Sequence, residues 1–158
     1  MAACQGQRMN NRRKLLIALG AGALAAPLRS FAQQQGKVWR IGVLSARRSP
    51  ASLDSDYYGA FPRRLSELGY VEGRNLIIEW RFADGEYERL PSMAAELVKL
   101  KADVILALGP PGAVAAQKAT TTIPIVFVVS TDPVAAGLVK SLAQPGGNIT
   151  GLSTSLAI

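Results

Sequence analysis

The 158-residue sequence predicts an α/β domain built on a doubly wound, all-parallel sheet of strand order 2-1-3-4-5. Three observations predict it. Short apolar runs alternate with segments of helical periodicity, the pattern of repeated β-α-β units. The runs Val104–Leu108 and Ile125–Val129 are unbroken, as in strands covered on both faces. Leu76–Phe82 carries Glu79 and Arg81 among its apolar residues, which suits an edge strand and selects the order in which strand two lies outside strand one.

Each element follows in turn. Val38–Leu44 reads as the first strand, followed by a polar loop through Asp56. Tyr58, Phe61, Leu65 and Leu68 then fall on one face of a helix. Gly69 is placed to end it. Pro62 interrupts this pattern; inside a helix it removes a hydrogen bond and clashes one turn back, costing ~3 kcal/mol. Either the helix starts close to Pro62 or it bends there. Leu76–Phe82 is the second strand. Leu90, Met93, Ala94, Leu97 and Val98 have the spacing of the buried stripe of a second helix. Val104–Leu108 is the third strand, Pro111–Ala119 a third helix of small residues, and Ile125–Val129 the fourth strand. Val134–Leu142 is expected to be a fourth helix, and Ile149–Leu152 a fifth strand. Right-handed crossovers leave few other topologies.

The net charge of +7 suggests a nucleic-acid or membrane partner until the charge is located. Residues 1–32 hold Arg8, Arg12, Arg13, Lys14 and Arg29 and no acid; all 11 acids lie beyond them. No stripe of basic residues interleaved with aromatics appears later, which argues against nucleic acid as a partner. Residues 1–32 read as an export signal. Arg12-Arg13-Lys14 is a charged start, Leu15–Ala26 an apolar run too short to span a bilayer, and Ser30-Phe31-Ala32 a junction with small residues, so cleavage is expected near Ala32-Gln33. Asn11–Leu16 resembles a twin-arginine signal, and Met9 is a second candidate start. An anchor that stays uncut is the alternative. Residues 33–158 then form the mature chain, which is not expected to span a membrane.

Cys4 is the sole cysteine and no histidine is present. Cys/His zinc sites and histidine-based triads are therefore excluded from residues 33–158. The sequence has no G-x-G-x-x-G turn after the first strand, no G-x-x-x-x-G-K-[ST] loop and no G-x-S-x-G elbow. An enzyme is not expected, and no cofactor is implied.

In such a sheet, ligands bind at the carboxyl ends of the strands. Four loops reach that edge: Ser45–Asp56, Ala83–Glu88, Gly109–Gly112 and Ser130–Pro133. The first offers hydroxyls at Ser45, Ser49, Ser52 and Ser55 and the cations Arg47 and Arg48. The third opens a helix whose first N–H groups favour an anion. The fourth offers Ser130, Thr131 and Asp132. Each residue has a structural reading beside the functional one. Ser45 also suits a strand terminator, Gly109 also suits a tight turn, and Asp132 before Pro133 suits a helix cap. Glu86 and Glu88 are expected to face water.

Three stretches carry a resemblance. Gly69-Tyr70-Val71-Glu72-Gly73-Arg74-Asn75, Thr120–Phe127, and Asp132-Pro133-Val134 continuing to Pro145–Gly151, together with Ala32-Gln33-Gln34, resemble ABC transporter substrate-binding proteins of the tryptophan/tyrosine type. The resemblance implies a type I periplasmic-binding-protein fold, two α/β lobes that close on a small ligand, here an amino acid or related carboxylate. It implies delivery to an ABC permease in the inner membrane and a periplasmic location. It implies lobe-one ligand contacts from Ser45, Ala46, Gly109, Pro110, Pro111, Ser130, Thr131 and Asp132. Two departures stand out. Pro110 occupies a position where relatives usually carry Thr or Ser, which removes a hydroxyl and a backbone N–H. The second lobe that the resemblance implies is not in residues 33–158, so a truncated form with weak or undetectable binding is expected. A ligand-sensing domain of an exported or membrane-linked receptor is the alternative function.

Overall fold

The computed structural model describes residues 36–54 and 56–154. The export signal read in residues 1–32, with its cleavage junction, lies outside these residues, as does Ser55. Residues 38–154 fall within one compact unit. Its elements are β1 (Trp39–Ser45), α1 (Asp56–Glu67), β2 (Leu76–Phe82), a 3-10 turn (Tyr87–Arg89), α2 (Leu90–Lys99), β3 (Val104–Leu108), α3 (Pro110–Ala119), β4 (Ile125–Val129) and β5 (Ile149–Ser153). The five strands are all parallel, in the order β2-β1-β3-β4-β5. The fold is therefore the α/β sheet expected, with the charged strand β2 at one edge. No described helix is long and apolar enough to cross a membrane.

Alternation along the strands divides the core between two faces. Leu44, Ile105, Ala107, Ile125, Phe127 and Ile149 pack with Leu90, Met93, Ala94 and Leu97 of α2 and with Ala113 and Ala116 of α3. Small residues on α3 let it lie close to the sheet: a Cβ placed on Gly112 would sit 3.2 Å from the Leu44 carbonyl oxygen. The other face carries Val43, Leu76 and Ile78, with Phe61 and Leu65 of α1 packed on them. Among the described helices, α2 and α3 lie on one face and α1 lies on the other.

This imbalance corrects one expectation. β3 and β4 read as strands covered on both faces, but only alternate residues are buried. Val104, Leu106, Leu108, Val126 and Val128 remain half-buried on the face of α1. Among the described residues, α1 packs over Val43, Leu76 and Ile78 of β1 and β2.

Pro62 lies inside α1, which runs through it from Asp56 to Glu67. Leu68 lies past the helix end and is 61% exposed, so it leaves the buried stripe. The fourth helix expected over Val134–Leu142 is absent. The chain makes a single turn there: Ala136 N–H donates to Asp132 O at 3.0 Å, Gly137 N–H to Val134 O at 3.0 Å, and Leu138 N–H to Pro133 O at 2.9 Å. The last two bonds are the paired closure of a helix C-terminus, and Gly137 supplies the left-handed residue it requires, at φ 68°. Leu138 then turns inward and is fully buried. The apolar pattern continued past Gly137; the backbone did not.

Candidate functional site

Strand register aligns the carboxyl edge of the sheet. Phe82, Ser45, Leu108, Val128 and Leu152 form one row across all five strands. The candidate residues leave the sheet at or just beyond this row. Ser45 ends β1, Gly109 follows β3, and Ser130 follows β4. The fold thus brings Ser45–Ala46, Gly109–Pro111 and Ser130–Asp132 to one edge, although they are spread over more than eighty positions in sequence.

The β1 end is closed by its neighbour. Ser45 is fully buried, and its Oγ accepts from the N–H of Arg47 at 3.2 Å. Beyond the sheet, the β1 and β2 loops continue to pair. Ala83 N–H donates to Ser45 O at 2.8 Å, Gly85 N–H to Ala46 O at 2.9 Å, and Asp84 N–H to Arg47 O at 3.1 Å. Asp84 Oδ1 in return accepts from Ser49 N–H at 2.8 Å. Arg89 lies 3.4 Å from the other Asp84 oxygen. Two polar loops are thereby tied into one wall, with Arg47 and Arg48 exposed along it.

The β3 end turns sharply into α3. Gly109 adopts φ 84° and ψ 158°, an extended positive-φ conformation essentially confined to glycine that costs a residue with a Cβ about 1–3 kcal/mol. Its N–H donates to Val128 O at 2.9 Å, and its carbonyl accepts from Ala113 N–H at 3.1 Å. Pro110 and Pro111 open the helix, where a missing N–H breaks no helical bond. Both are half-buried.

The β4 end is open. Ser130, Thr131 and Asp132 are all exposed. Thr131 O accepts from Ser153 Oγ at 2.9 Å, which joins this loop to β5. Asp132 Oδ1 accepts from Val134 N–H at 2.8 Å and Ala135 N–H at 3.3 Å, so the carboxylate caps the single turn that follows. Its structural reading as a cap holds in this lobe. Glu86 and Glu88 are exposed, as expected.

Sequence reasoning passed over Tyr87. This residue opens the 3-10 turn after β2 and is 58% exposed. With Leu90, Pro91, Pro110, Pro111 and Val114 it lines a groove of about 350 Å³ between the start of α2 and α3. An aromatic residue inside the otherwise polar stretch Asp84-Gly85-Glu86-Tyr87-Glu88-Arg89 was the available signal. No cluster of metal-ligating side chains occurs among the described residues.

Known proteins resemble this chain in sequence and in fold. The sequence pattern of the family described as ABC transporter substrate binding protein matches residues 41–158. A tyrosine-binding protein of Clostridioides difficile is 42% identical over 118 residues, spanning 75% of this chain and 34% of that protein. Among solved structures, a ligand-free, open substrate-binding protein with adhesive properties from Clostridium difficile superposes with a TM-score of 0.67 at 38% identity, covering 77% of this chain and 40% of its own. A conserved domain protein from Vibrio cholerae gives 0.68 at 39% identity, with 77% and 40% coverage. An ABC domain from Streptococcus pneumonia in complex with L-Trp gives 0.63 at 34% identity, with 74% and 39% coverage. The chain thus spans about a third of the length of the curated relative it matches.

Proposed function

Because the chain belongs to the ABC transporter substrate-binding protein family, we propose that it is the ligand-capturing lobe of an ABC importer's solute-binding component. The ligand in this reading is an amino acid or related small carboxylate, bound without catalysis and without a cofactor. The names of its relatives, one tyrosine-binding and one solved with L-Trp, favour an aromatic amino acid. The observation that carries the reading is the single row of strand ends, from which Ser45, Gly109 and Ser130 all leave the sheet. A doubly wound sheet offers its ligand site at that edge.

The remaining parts of the proposal follow from the family. Residues 1–32 direct export, with cleavage near Ala32-Gln33, and residues 33–158 act in the periplasm. The loaded protein then meets a permease in the inner membrane. Ligand contacts come from Ser45, Ala46, Gly109, Pro110, Pro111, Ser130, Thr131 and Asp132. One lobe supplies one wall of a cleft that closes by a hinge, so its own affinity is weak.

Titration of the isotopically labelled chain with individual amino acids tests this. Tyrosine or tryptophan is expected to shift the backbone amides of Ala46, Gly109, Ser130 and Thr131 in the millimolar range. No response from any amino acid at this edge would overturn the proposal. Tight, micromolar binding would overturn the view that one lobe holds only part of the site.

A further inference from the structure

The start of α3 lacks most of what makes a helix N-terminus attractive to an anion. Such a terminus normally presents several free N–H groups. Here Pro110 and Pro111 have none, and the N–H of Gly109 is engaged by Val128 O at 2.9 Å. Ala113 N–H is engaged by Gly109 O at 3.1 Å. The first turn is left with the N–H of Gly112, a residue buried against Leu44. What the turn does present is carbon: two half-buried proline rings, continued by Val114, Leu90 and Pro91 along a groove of about 350 Å³. The exposed ring of Tyr87 lines the same groove from the β2 side. The one charged lining residue, Lys118, lies about two turns further along α3.

We propose that Tyr87 and the Pro110–Pro111 step form a specificity wall that receives the apolar, aromatic part of a ligand and does not receive its carboxylate. This rests on the amino-acid-binding reading and deepens it. The wall selects by hydrophobic surface, since a flat aromatic group buries apolar area against proline and tyrosine rings. The carboxylate must be met elsewhere on the edge, because a desolvated anion at Pro110 would lose its water and gain at most one donor.

Two fragments separate these parts of a ligand. Acetate is the carboxylate alone, and p-cresol is the tyrosine side chain alone. In nuclear magnetic resonance titrations of the 158-residue chain, p-cresol is expected to shift the amides of Tyr87, Val114 and Ala115 saturably, while acetate leaves Gly112 in place. Tyr87→Ala should remove most of the p-cresol response. Pro110→Thr restores an N–H and a hydroxyl, and should strengthen acetate binding at Gly112 by about tenfold or more. Saturable acetate binding at Gly112 in the native chain would overturn the proposal, and so would a p-cresol titration that moves nothing around Tyr87. Both results are read on the native chain and hold even if a variant fails to fold. Either failure leaves the amino-acid titration free to succeed, so the two readings fall separately.

Discussion

The side-chain amide of Asn148 donates to the carbonyl of Ile123 at 2.7 Å and to that of Thr120 at 3.3 Å. The backbone carbonyl of Asn148 accepts from Ile125 N–H at 2.8 Å. One residue before β5 thereby satisfies the turn that leads into β4, a turn already closed by Thr120 Oγ1 accepting from Thr122 and Ile123 N–H. Removing a partner strands part-buried carbonyls, which costs about 1–3 kcal/mol. Asn148→Ala should therefore lower the urea midpoint without changing the slope. Asn148→Asp should be worse, because a carboxylate would face two carbonyl oxygens. Hydrogen exchange should speed up first at the β5 amides, the edge that Asn148 holds.

Gly137 decides where the last turn stops. Its φ of 68° is costly for a residue with a Cβ, so Gly137→Ala should destabilise by about 1–2 kcal/mol. Asn tolerates this conformation better, and Gly137→Asn should fall between. Leu138 is fully buried just after the turn, so loss of the closure should also loosen its packing. Equilibrium unfolding of the three proteins orders them.

Strands were legible because a buried strand is a local pattern. The apolar runs of β2, β3 and β4 coincide with their observed bounds, and the charges of β2 marked the edge. The expected helix over Val134–Leu142 failed because periodicity records which residues are apolar, whereas Gly137 records which φ the backbone takes. The candidate site was legible to the level of strand ends, since topology alone places Ser45, Gly109 and Ser130 together. The pairing of Ala46 with Gly85 and of Ser49 with Asp84 was not. Those bonds join residues more than thirty positions apart, one between backbone groups and one from a backbone N–H to the Asp84 carboxylate, and no spacing rule encodes them. Tyr87 was missed for the same reason: its neighbours Pro110 and Pro111 come from another loop.

Tyr58 organises the face covered by α1. Its ring meets Phe82 edge-on at 5.3 Å and Trp80 edge-on at 5.8 Å, while Trp80 and Phe82 stack at 5.9 Å. Phe61 meets Trp80 edge-on from the next turn. Truncating a buried aromatic costs about 3–5 kcal/mol. Tyr58→Ala should remove a large part of the about 5–15 kcal/mol that holds a domain folded. Trp80 reports it directly, since its emission should shift to the red before the protein unfolds.

Asp132 separates structure from binding at the open end of the edge. Its Oδ1 caps the turn through Val134 and Ala135 N–H. A lost cap costs about 1 kcal/mol, whereas Asn caps nearly as well as Asp. Asp132→Ala should therefore destabilise by that amount and Asp132→Asn by much less. The same pair tests the ligand contact. A ligand ammonium group would need the negative charge, which Asn lacks and the cap does not require. If Asp132 only caps, Asp132→Asn leaves the amino-acid-induced shifts at Ser130 and Thr131 intact. If its charge also meets the ligand, Asp132→Asn abolishes those shifts while the unfolding midpoint stays near that of the native chain. Unfolding and titration on one sample decide between the two roles. The cap takes up Oδ1 through two N–H groups, so a ligand contact falls to Oδ2, and the second outcome is the one that the proposed contact at Asp132 requires.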